Sequence, residues 1–375
     1  MAQRLPGFFV FPDEVFPMTH APDQEGFAHA IQEASPAFRA WAGTDAPVMR
    51  GLEISTCSFQ GPGPYIAYVH HGTTHDFSVF SADKLGNHEG AFGKVNYFTT
   101  ALSDADRNYA GMGPDLTQRI GCEAEQMTHE IEHDPEAYGL DEDADYDACL
   151  DKAKEIVGAR LNGGSPQVLS LYVRMDRPFV IDGNRSPAKL RIIPDTSPLL
   201  FPDLEDAHAD AEEEVLINNR LEHLEGDARS EALEELEEEV YEALDAMRES
   251  TMQKLADLFV QIASELGAPA PDVPDDIFCE ISEMTHNGFY QAIKGSEEIS
   301  MLEGEDGLVS SQFLSRLIER LGYDGIVIRN VDRHFENMQI PTGAAHIHIF
   351  DAQNHRIKST TNRGSFSPDD PDIYA

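Results

Sequence analysis

The chain has 375 residues, and its 68 acidic residues outnumber its 27 basic ones to give a formal net charge of −41. This length allows one elaborated domain or two ordinary ones. A field of this sign repels nucleic acids and anionic membrane surfaces, so we expect neither as a partner. Basic protein surfaces are the natural partners, although a heavily solvated surface suited to solubility or salt explains the same charge.

The 4 cysteines have neither the spacing of a zinc ribbon nor the density of a disulfide framework. The N-terminal residues lack the charged and then apolar pattern of a signal peptide, and no apolar run is long enough to span a bilayer. We therefore expect a protein of a reducing compartment, either cytosolic or packaged inside a particle, with no membrane association.

The first half of the chain alternates helical and strand patterns. Apolar spacing predicts helices over residues 26–34 and 38–43. Alternating apolar residues predict strands over residues 65–69 and 168–173, and residues 177–183 read as a turn-bounded sheet edge.

An acidic helical stretch occupies residues 204–266, and Gly226 is expected to split it into a helical hairpin. An apolar stripe at three- and four-residue spacing predicts its buried face; its members are Leu233, Leu236, Val240, Leu244 and Met247. Its run of glutamates is most simply a solvated face. We interpret this stretch as ancillary to any chemistry.

The last third begins with a Pro-rich linker at residues 269–274. A helix is predicted over residues 311–321, closed by Gly322, followed by a short buried strand at residues 326–328. Strict alternation predicts a further strand at residues 346–350.

The densest motif runs between Tyr68 and Ala110. A strand-like segment ends in His71-Gly72-Thr73, a second contains Gly93 to Thr99 with Tyr97-Phe98, and Tyr109 follows. These segments resemble the NAD-binding core of histidine-tyrosine class ADP-ribosyltransferases, the class shared by poly(ADP-ribose) polymerases and diphtheria-type toxins. The three segments match its histidine-glycine-Ser/Thr motif, its Tyr-Phe strand and its second tyrosine.

The chain is more similar still to the ADP-ribosyltransferase-like domain of phage polyvalent proteins. Five ordered matches, covering about 120 residues, carry this resemblance. They are Trp41-Ala42-Gly43, His71 to Thr73, Tyr97 to Thr99, Gly322-Tyr323-Asp324-Gly325-Ile326 and the tail beginning Ile357-Lys358-Ser359.

The resemblance implies an α+β fold with a split antiparallel β-sheet, large acidic helical insertions and NAD as substrate. Breaking the nicotinamide–ribose bond requires a bent donor and stabilised positive charge. The resemblance gives His71 the ribose hydroxyls and gives Gly72 and Thr73 the nicotinamide side, and it places Phe98 among the residues that bind NAD. Tyr97 and Tyr109 would stack on the nicotinamide ring, as aromatic rings can.

The third catalytic position, where related transferases often carry a glutamate, falls at His346. The resemblance therefore implies transfer of a single ADP-ribose rather than chain elongation. It also implies a phage or prophage protein that modifies a host protein, in the host cytoplasm or from a virion. The acidic charge of the chain favours a basic acceptor.

The same resemblance sets the expected domain organisation. Residues 1–50 form a lead-in, and residues 51–200 and 311–375 form the transferase core. An insertion lies around residues 112–165 within that core, and residues 201–310 supply the acidic helical insertion and linker.

Two alternatives remain open. The first is a non-catalytic, virion-associated or acidic interaction protein that keeps the fold, which the absence of a carboxylate at His346 favours. The second is a zinc peptidase, because His129-Glu130-Ile131-Glu132-His133 satisfies H-E-x-x-H. The polar residues around that motif argue against zinc, and we expect no resident metal. His346 and His348 share a strand face and could bind metal with His334 or His355, but strand packing explains them more simply.

Overall fold

The computed structural model describes residues 24–59, 63–81, 92–111, 113–183, 197–204, 226–304, 307–333, 339–362 and 364–375. In these ranges the protein is α+β, as the sequence predicts, and its centre is an eight-stranded sheet. The sheet is mixed rather than purely antiparallel, since the strands Val48–Arg50 and Pro178–Asp182 each pair in parallel with a neighbour.

The strands of the main sheet are β1 (Val48–Arg50), β2 (Tyr65–Thr73), β3 (Val95–Thr99), β4 (Gln167–Met175), β5 (Pro178–Asp182), β8 (Gly325–Arg329), β9 (His346–Phe350) and β10 (Ile357–Ser359). Their order is β10-β4-β2-β3-β9-β8-β5, with β1 beside β2. A separate two-stranded hairpin consists of β6 (Glu303–Gly304) and β7 (Gly307–Leu308). The predicted strands are all present, and β5 is the sheet edge that the turn signals indicated.

The pairing between β2 and β3 differs from every other pairing along the sheet. β2 pairs with β4 over its whole length, from Tyr65 to Thr73, whereas it pairs with β3 only at His70↔Thr99. Beyond that bridge the end of β2 and the start of β3 form no further ladder pair. The sheet therefore has a gap at its centre, bordered by His71 to Thr73 on one side and by the first residues of β3 on the other.

The core has three main parts. One face of the sheet carries a continuous apolar cluster to which β2, β3, β4, β5, β8, β9 and β10 all contribute. On the other face, one cluster lies beneath the N-terminal helices and contains Phe38 and Trp41. The largest cluster lies beneath the C-terminal helices and contains Phe259, Phe289 and Phe313.

The helices are α1 (Gln24–Glu33), α2 (Pro36–Ala42), α3 (Leu52–Thr56), α4 (Leu102–Asp104), α5 (Pro114–His133), α6 (Tyr146–Leu161), α7 (Asp227–Glu265), α8 (Asp275–Glu280), α9 (His286–Gly295), α10 (Glu297–Ser300) and α11 (Ser310–Arg320). A π-helical turn, Ala105–Tyr109, directly continues α4. Helices α5 and α6 occupy the predicted insertion around residues 112–165 and pack on each other through small apolar clusters of their own.

The predicted helical hairpin is only partly within the described residues. Gly226 precedes α7 with a positive φ of 61°, but residues 205–225 lie outside the described ranges. Of the predicted apolar stripe, Leu244 is buried, Met247 is 40% exposed, and the side chains of Leu233, Leu236 and Val240 are outside the description. The face of α7 that enters the large cluster is formed later in the helix, by Leu255, Phe259, Ile262 and Ala263.

One buried histidine connects the helical insertion to the sheet. The Nδ1 atom of His286, at the start of α9, accepts from the Val180 amide of β5 at 3.0 Å, and its Nε2 lies 2.8 Å from the Tyr323 hydroxyl. The imidazole also stacks on Phe179 at 4.5 Å. The insertion is therefore packed on the same core as the sheet.

In the described part of the chain, no helix has both the length and the apolar character needed to cross a bilayer.

Candidate active site

The residues of the sequence motif meet at the gap between β2 and β3. Over His71 to Thr73, the side of β2 that faces β3 has no strand partner among the described residues. Directly opposed residues of an antiparallel pair share a face of the sheet. From the His70↔Thr99 bridge it follows that Gly72 and Tyr97 lie on one face, and that His71 and Phe98 lie on the other.

The imidazole of His71 is fixed across the gap. Its Nδ1 donates to the backbone carbonyl of Tyr97 at 2.8 Å, which makes Nε2 the acceptor nitrogen of the neutral ring. Phenylalanine rings surround it, with centroids at 5.1 Å for Phe80, 5.6 Å for Phe98 and 6.0 Å for Phe77. Burial lowers the pKa of His71, although the bond to Tyr97 acts in the opposite direction. The ring is therefore neutral at pH 7.

Tyr97 is held at both its ring and its hydroxyl. The hydroxyl donates to the Gly93 carbonyl at 3.1 Å and accepts from the Phe92 amide at 3.3 Å. Its ring lies 4.5 Å from that of His348, its partner in β9. Burial raises the pKa of Tyr97, so the phenol stays uncharged.

Tyr109 approaches the gap because residue 72 is a glycine. A Cβ at Gly72 would lie 2.4 Å from the Ala105 carbonyl oxygen and 2.7 Å from both the Ala110 nitrogen and the Tyr109 Cβ. Only a residue without a side chain lets the π-helical turn lie this close to β2. Such turns are rare and are frequently found at functional sites. Burial, followed by the nearby Asp104 and Asp115, raises the pKa of Tyr109.

His346 lies on the same face as Gly72 and Tyr97, and its partner is a carboxylate. Its Nε2 is 2.9 Å from Oδ2 of Asp104, whose side chain is fully buried. The other oxygen of Asp104 accepts from Asn108 at 2.6 Å. Burial alone would raise the pKa of Asp104, but hydrogen bonds from His346, Asn108 and Thr99 hold it below its ordinary value. The third position thus has a histidine with an ionised aspartate behind it.

His348 is a buried imidazole with no polar partner among the described residues. It is 2% exposed, and neither ring nitrogen forms a hydrogen bond within the described part of the chain. Its ring contacts Tyr97 at 4.5 Å and Phe92 at 4.9 Å. Burial, with His346 nearby, holds its pKa well below the ordinary value.

Thr73 and Phe98 have structural partners. The Thr73 hydroxyl accepts from the His75 amide at 3.1 Å and so shapes the turn that ends β2. The Phe98 ring packs on Phe80 at 5.4 Å within the continuous apolar cluster. Of the predicted donor-binding residues, Gly72, Tyr97 and Tyr109 share a face with His346, whereas His71, Thr73 and Phe98 belong to the opposite face.

Sequence reasoning missed two carboxylates beside the site. Asp104 was invisible because its partner His346 is 242 residues away in the chain. Asp115, in the first turn of α5, has a pKa raised mainly by burial and lies close enough to influence both Tyr97 and Tyr109. In the sequence, the i,i+4 spacing of Asp104 and Asn108 is a signal for Asp104. It gives no indication of Asp115.

The metal-binding alternatives gain no geometric support. His129 and His133 lie at the end of α5, and the His129 side chain is 78% exposed and beside Glu132. Within the described ranges, no group of three or more His, Cys, Asp or Glu side chains could hold a metal ion. His334 lies outside those ranges.

No protein-family profile, curated protein or solved structure matches this chain.

Proposed function

We propose that this protein is an NAD-dependent mono-ADP-ribosyltransferase of phage or prophage type, with an ADP-ribosyltransferase fold, that modifies a host protein. The observation that carries the proposal is that His71, Gly72 and Tyr97 border one gap in the sheet, with His71 bonded across it to the Tyr97 carbonyl and Tyr109 packed against Gly72. These residues are distributed over two strands and a π-helical turn. Their proximity supports a common role.

The open side of β2 suits the nicotinamide end of the donor. A carboxamide carries one C=O acceptor and an NH₂ donor, as a peptide group carries C=O and N–H. Backbone groups along residues 71–73 have no strand partner on the side of β3 among the described residues. A carboxamide in the gap would bond there as a short strand does, and Gly72 presents no side chain to obstruct it.

The protonation states of the site suit a reaction in which positive charge develops on the ribose. The neutral His71 can accept a hydrogen bond from a ribose hydroxyl at Nε2 without adding positive charge. Asp104 is ionised and carries negative charge behind His346. The nicotinamide ring of NAD is cationic, and breaking its bond to the ribose moves this positive charge onto the ribose. Negative charge near the ribose therefore lowers the energy of the oxocarbenium-like transition state more than that of the ground state.

In the proposed reaction, the bond from the ribose carbon to the nicotinamide nitrogen breaks, and nicotinamide leaves as a neutral molecule. A nucleophilic side chain of the acceptor protein bonds to the same carbon and releases its proton. The protein surface carries excess negative charge, which favours a basic acceptor. The location that follows is the host cytoplasm or a virion.

The alternative is a non-catalytic interaction protein with the same fold. The observation that favours it is His346, which is buried and bonded to Asp104 at the position where a glutamate would face the acceptor. Such a protein would bind NAD or an acceptor surface without releasing nicotinamide.

The deciding experiment is transfer of label from etheno-NAD in a bacterial lysate, together with nicotinamide release by the purified protein. We expect His71→Ala and Tyr97→Ala to lower both signals by at least about a hundredfold, as loss of a group that binds the transition state does. His129→Ala, on the exposed end of α5, is the matched control and should retain full activity. A folded wild type that binds NAD but yields neither signal would favour the non-catalytic alternative.

A further inference from the structure

The C-terminal tail motif has no role in the proposed chemistry, yet its residues are deeply buried. Lys358 of β10 is fully buried, as is Ile373 near the end of the chain. Burial of a lysine normally requires partners for its ammonium group. The contacts of the tail therefore indicate what it holds in place.

Lys358 anchors the tail through backbone carbonyls. Its Nζ donates to the carbonyl oxygen of Asp370 at 2.7 Å and to that of Asp372 at 2.9 Å. Charge-assisted hydrogen bonds of this kind are stronger than neutral ones. Lys358 thus fixes the path of the tail relative to β10.

Asn362 and Phe366 add two further attachments. The Asn362 amide group donates to the carbonyl of Ile373 at 3.3 Å and to that of Ala375 at 2.9 Å. The ring of Phe366 packs on Phe38 and Trp41 at 5.1 and 5.9 Å. The tail is therefore attached both to its own strand and to α2.

The far end of the tail is bonded to the segment that follows β2. The amide of Ile373 donates to the carbonyl of Ser78 at 2.8 Å, and Asp372 forms a β-bridge with Val79. Residues 74–81 contain no helix or longer strand of their own. Their conformation therefore depends on long-range bonds such as these.

The same short segment supplies the aromatic wall of His71. Phe77 and Phe80 flank Ser78 and Val79, and their rings lie 6.0 and 5.1 Å from the imidazole. The carbonyl of Phe80 accepts a second fixing bond, from the Asn354 amide group at 2.8 Å. One continuous set of contacts therefore leads from Lys358 through the tail to His71.

We propose that the C-terminal segment, residues 364–375, positions the aromatic wall around His71, and that Lys358 is the positioning residue that anchors it. The functional consequence rests on the proposed function, since it requires that His71 binds the ribose of NAD. The structural consequence does not, because it concerns the environment of the imidazole alone.

The test combines Lys358→Met with the milder Asn362→Ala, each compared with Lys154→Met, a control on the outer part of α6. The first measurement is the imidazole resonance of His71 by NMR, assigned by its loss in His71→Asn. We expect it to shift or broaden in Lys358→Met and Asn362→Ala and to stay unchanged in Lys154→Met. The second is nicotinamide release, in which both tail variants should raise the KM for NAD by about tenfold with a smaller change in kcat.

The outcomes separate the two proposals. Wild-type His71 resonances in a folded Lys358→Met and in Asn362→Ala would overturn the positioning role, whatever the activity. Shifted resonances together with a wild type that releases no nicotinamide would support the positioning role and contradict the proposed reaction. If Lys358→Met does not fold, Asn362→Ala decides alone, since it keeps the lysine anchor.

Discussion

The carboxylate of Asp104 and the imidazole of His346 meet at 2.9 Å inside the protein, although they are 242 residues apart in the chain. The pair joins α4 to β9, and Asn108 adds a bond from the π-helical turn at 2.6 Å. Both side chains are buried, and the contact between them offsets the free-energy cost of removing each from water.

Asp104→Asn is expected to lower the free energy of unfolding by about 2–4 kcal/mol at pH 7, because it removes a buried charge that several donors stabilise. The pKa of Asp104 is lower in the folded than in the unfolded protein, so its stabilisation is present above the unfolded value of 3.8 and is lost as the pH falls below it. The difference between wild type and variant should therefore shrink at about pH 3.

Urea denaturation at the two pH values measures this difference. Asp106→Asn is the matched control, because Asp106 is exposed on the same π-helical turn. An Asp104→Asn variant as stable as Asp106→Asn at pH 7 would contradict the stabilising role of the pair.

Gly72→Ala is expected to destabilise the protein by about 1–3 kcal/mol or more, because the new Cβ would overlap backbone atoms that cannot move independently. The nearest of these atoms, the Ala105 carbonyl oxygen, lies 2.4 Å away. Tyr109 should be displaced from the gap, and NAD binding should weaken with it. Thermal denaturation and NAD titration measure the two effects.

Gly121→Ala in α5 is the opposite case, because nothing lies within 4 Å of its added Cβ. Since alanine favours a helix over glycine by about 1 kcal/mol, this control should be neutral or stabilising. Equal melting temperatures for the two variants would show that the turn does not press against β2 in solution.

The buried histidines should make stability depend on pH. The pKa of His70 is lowered to about 4 by burial, and that of His348 is lowered well below 6.5. Below pH 6.5 these histidines bind protons in the unfolded chain but stay neutral in the folded protein. The free energy of unfolding should therefore decrease as the pH is lowered. Each such histidine contributes up to about 1.4 kcal/mol per pH unit.

His348→Phe isolates one contribution. We expect its stability to lie within about 1 kcal/mol of wild type at pH 7.5, because an imidazole without polar partners loses little when it is replaced by an apolar ring. Between pH 6.5 and 5 the variant should lose less stability than wild type. His129→Gln, at an exposed position, is the control and should show the same pH dependence of stability as wild type. If His348→Phe also showed the wild-type pH dependence, the lowered pKa of His348 would be contradicted.

Zinc should have no effect on this protein. His129 is exposed, and no cluster of metal-ligating side chains is present among the described residues. Neither a chelator nor added zinc should change the melting temperature or nicotinamide release. The peptidase hypothesis would be favoured if a chelator abolished the activity and zinc restored it. In that case a His133→Ala variant should lack the activity.

Periodicity along the chain determined most secondary structure. The alternation at residues 346–350 and the apolar spacing closed by Gly322 correctly predicted β9 and α11, because side-chain direction in strands and helices depends on local geometry. The predicted antiparallel sheet is confirmed only in part, since β5 pairs in parallel with β8. That pairing depends on a connection through the whole helical insertion. Length and charge patterns do not encode such a choice of partner.

For the candidate site, the sequence by itself determined which residue types are available: His71, Gly72, Tyr97 and Tyr109 follow from motif order alone. Only the tertiary structure decided which face each occupies, because the single His70↔Thr99 bridge sets the register at the gap. It also decided that His346 pairs with Asp104 and that Lys358 fixes the tail. These contacts join distant segments, and a pattern read along the chain carries no information about distances between segments that folding brings together.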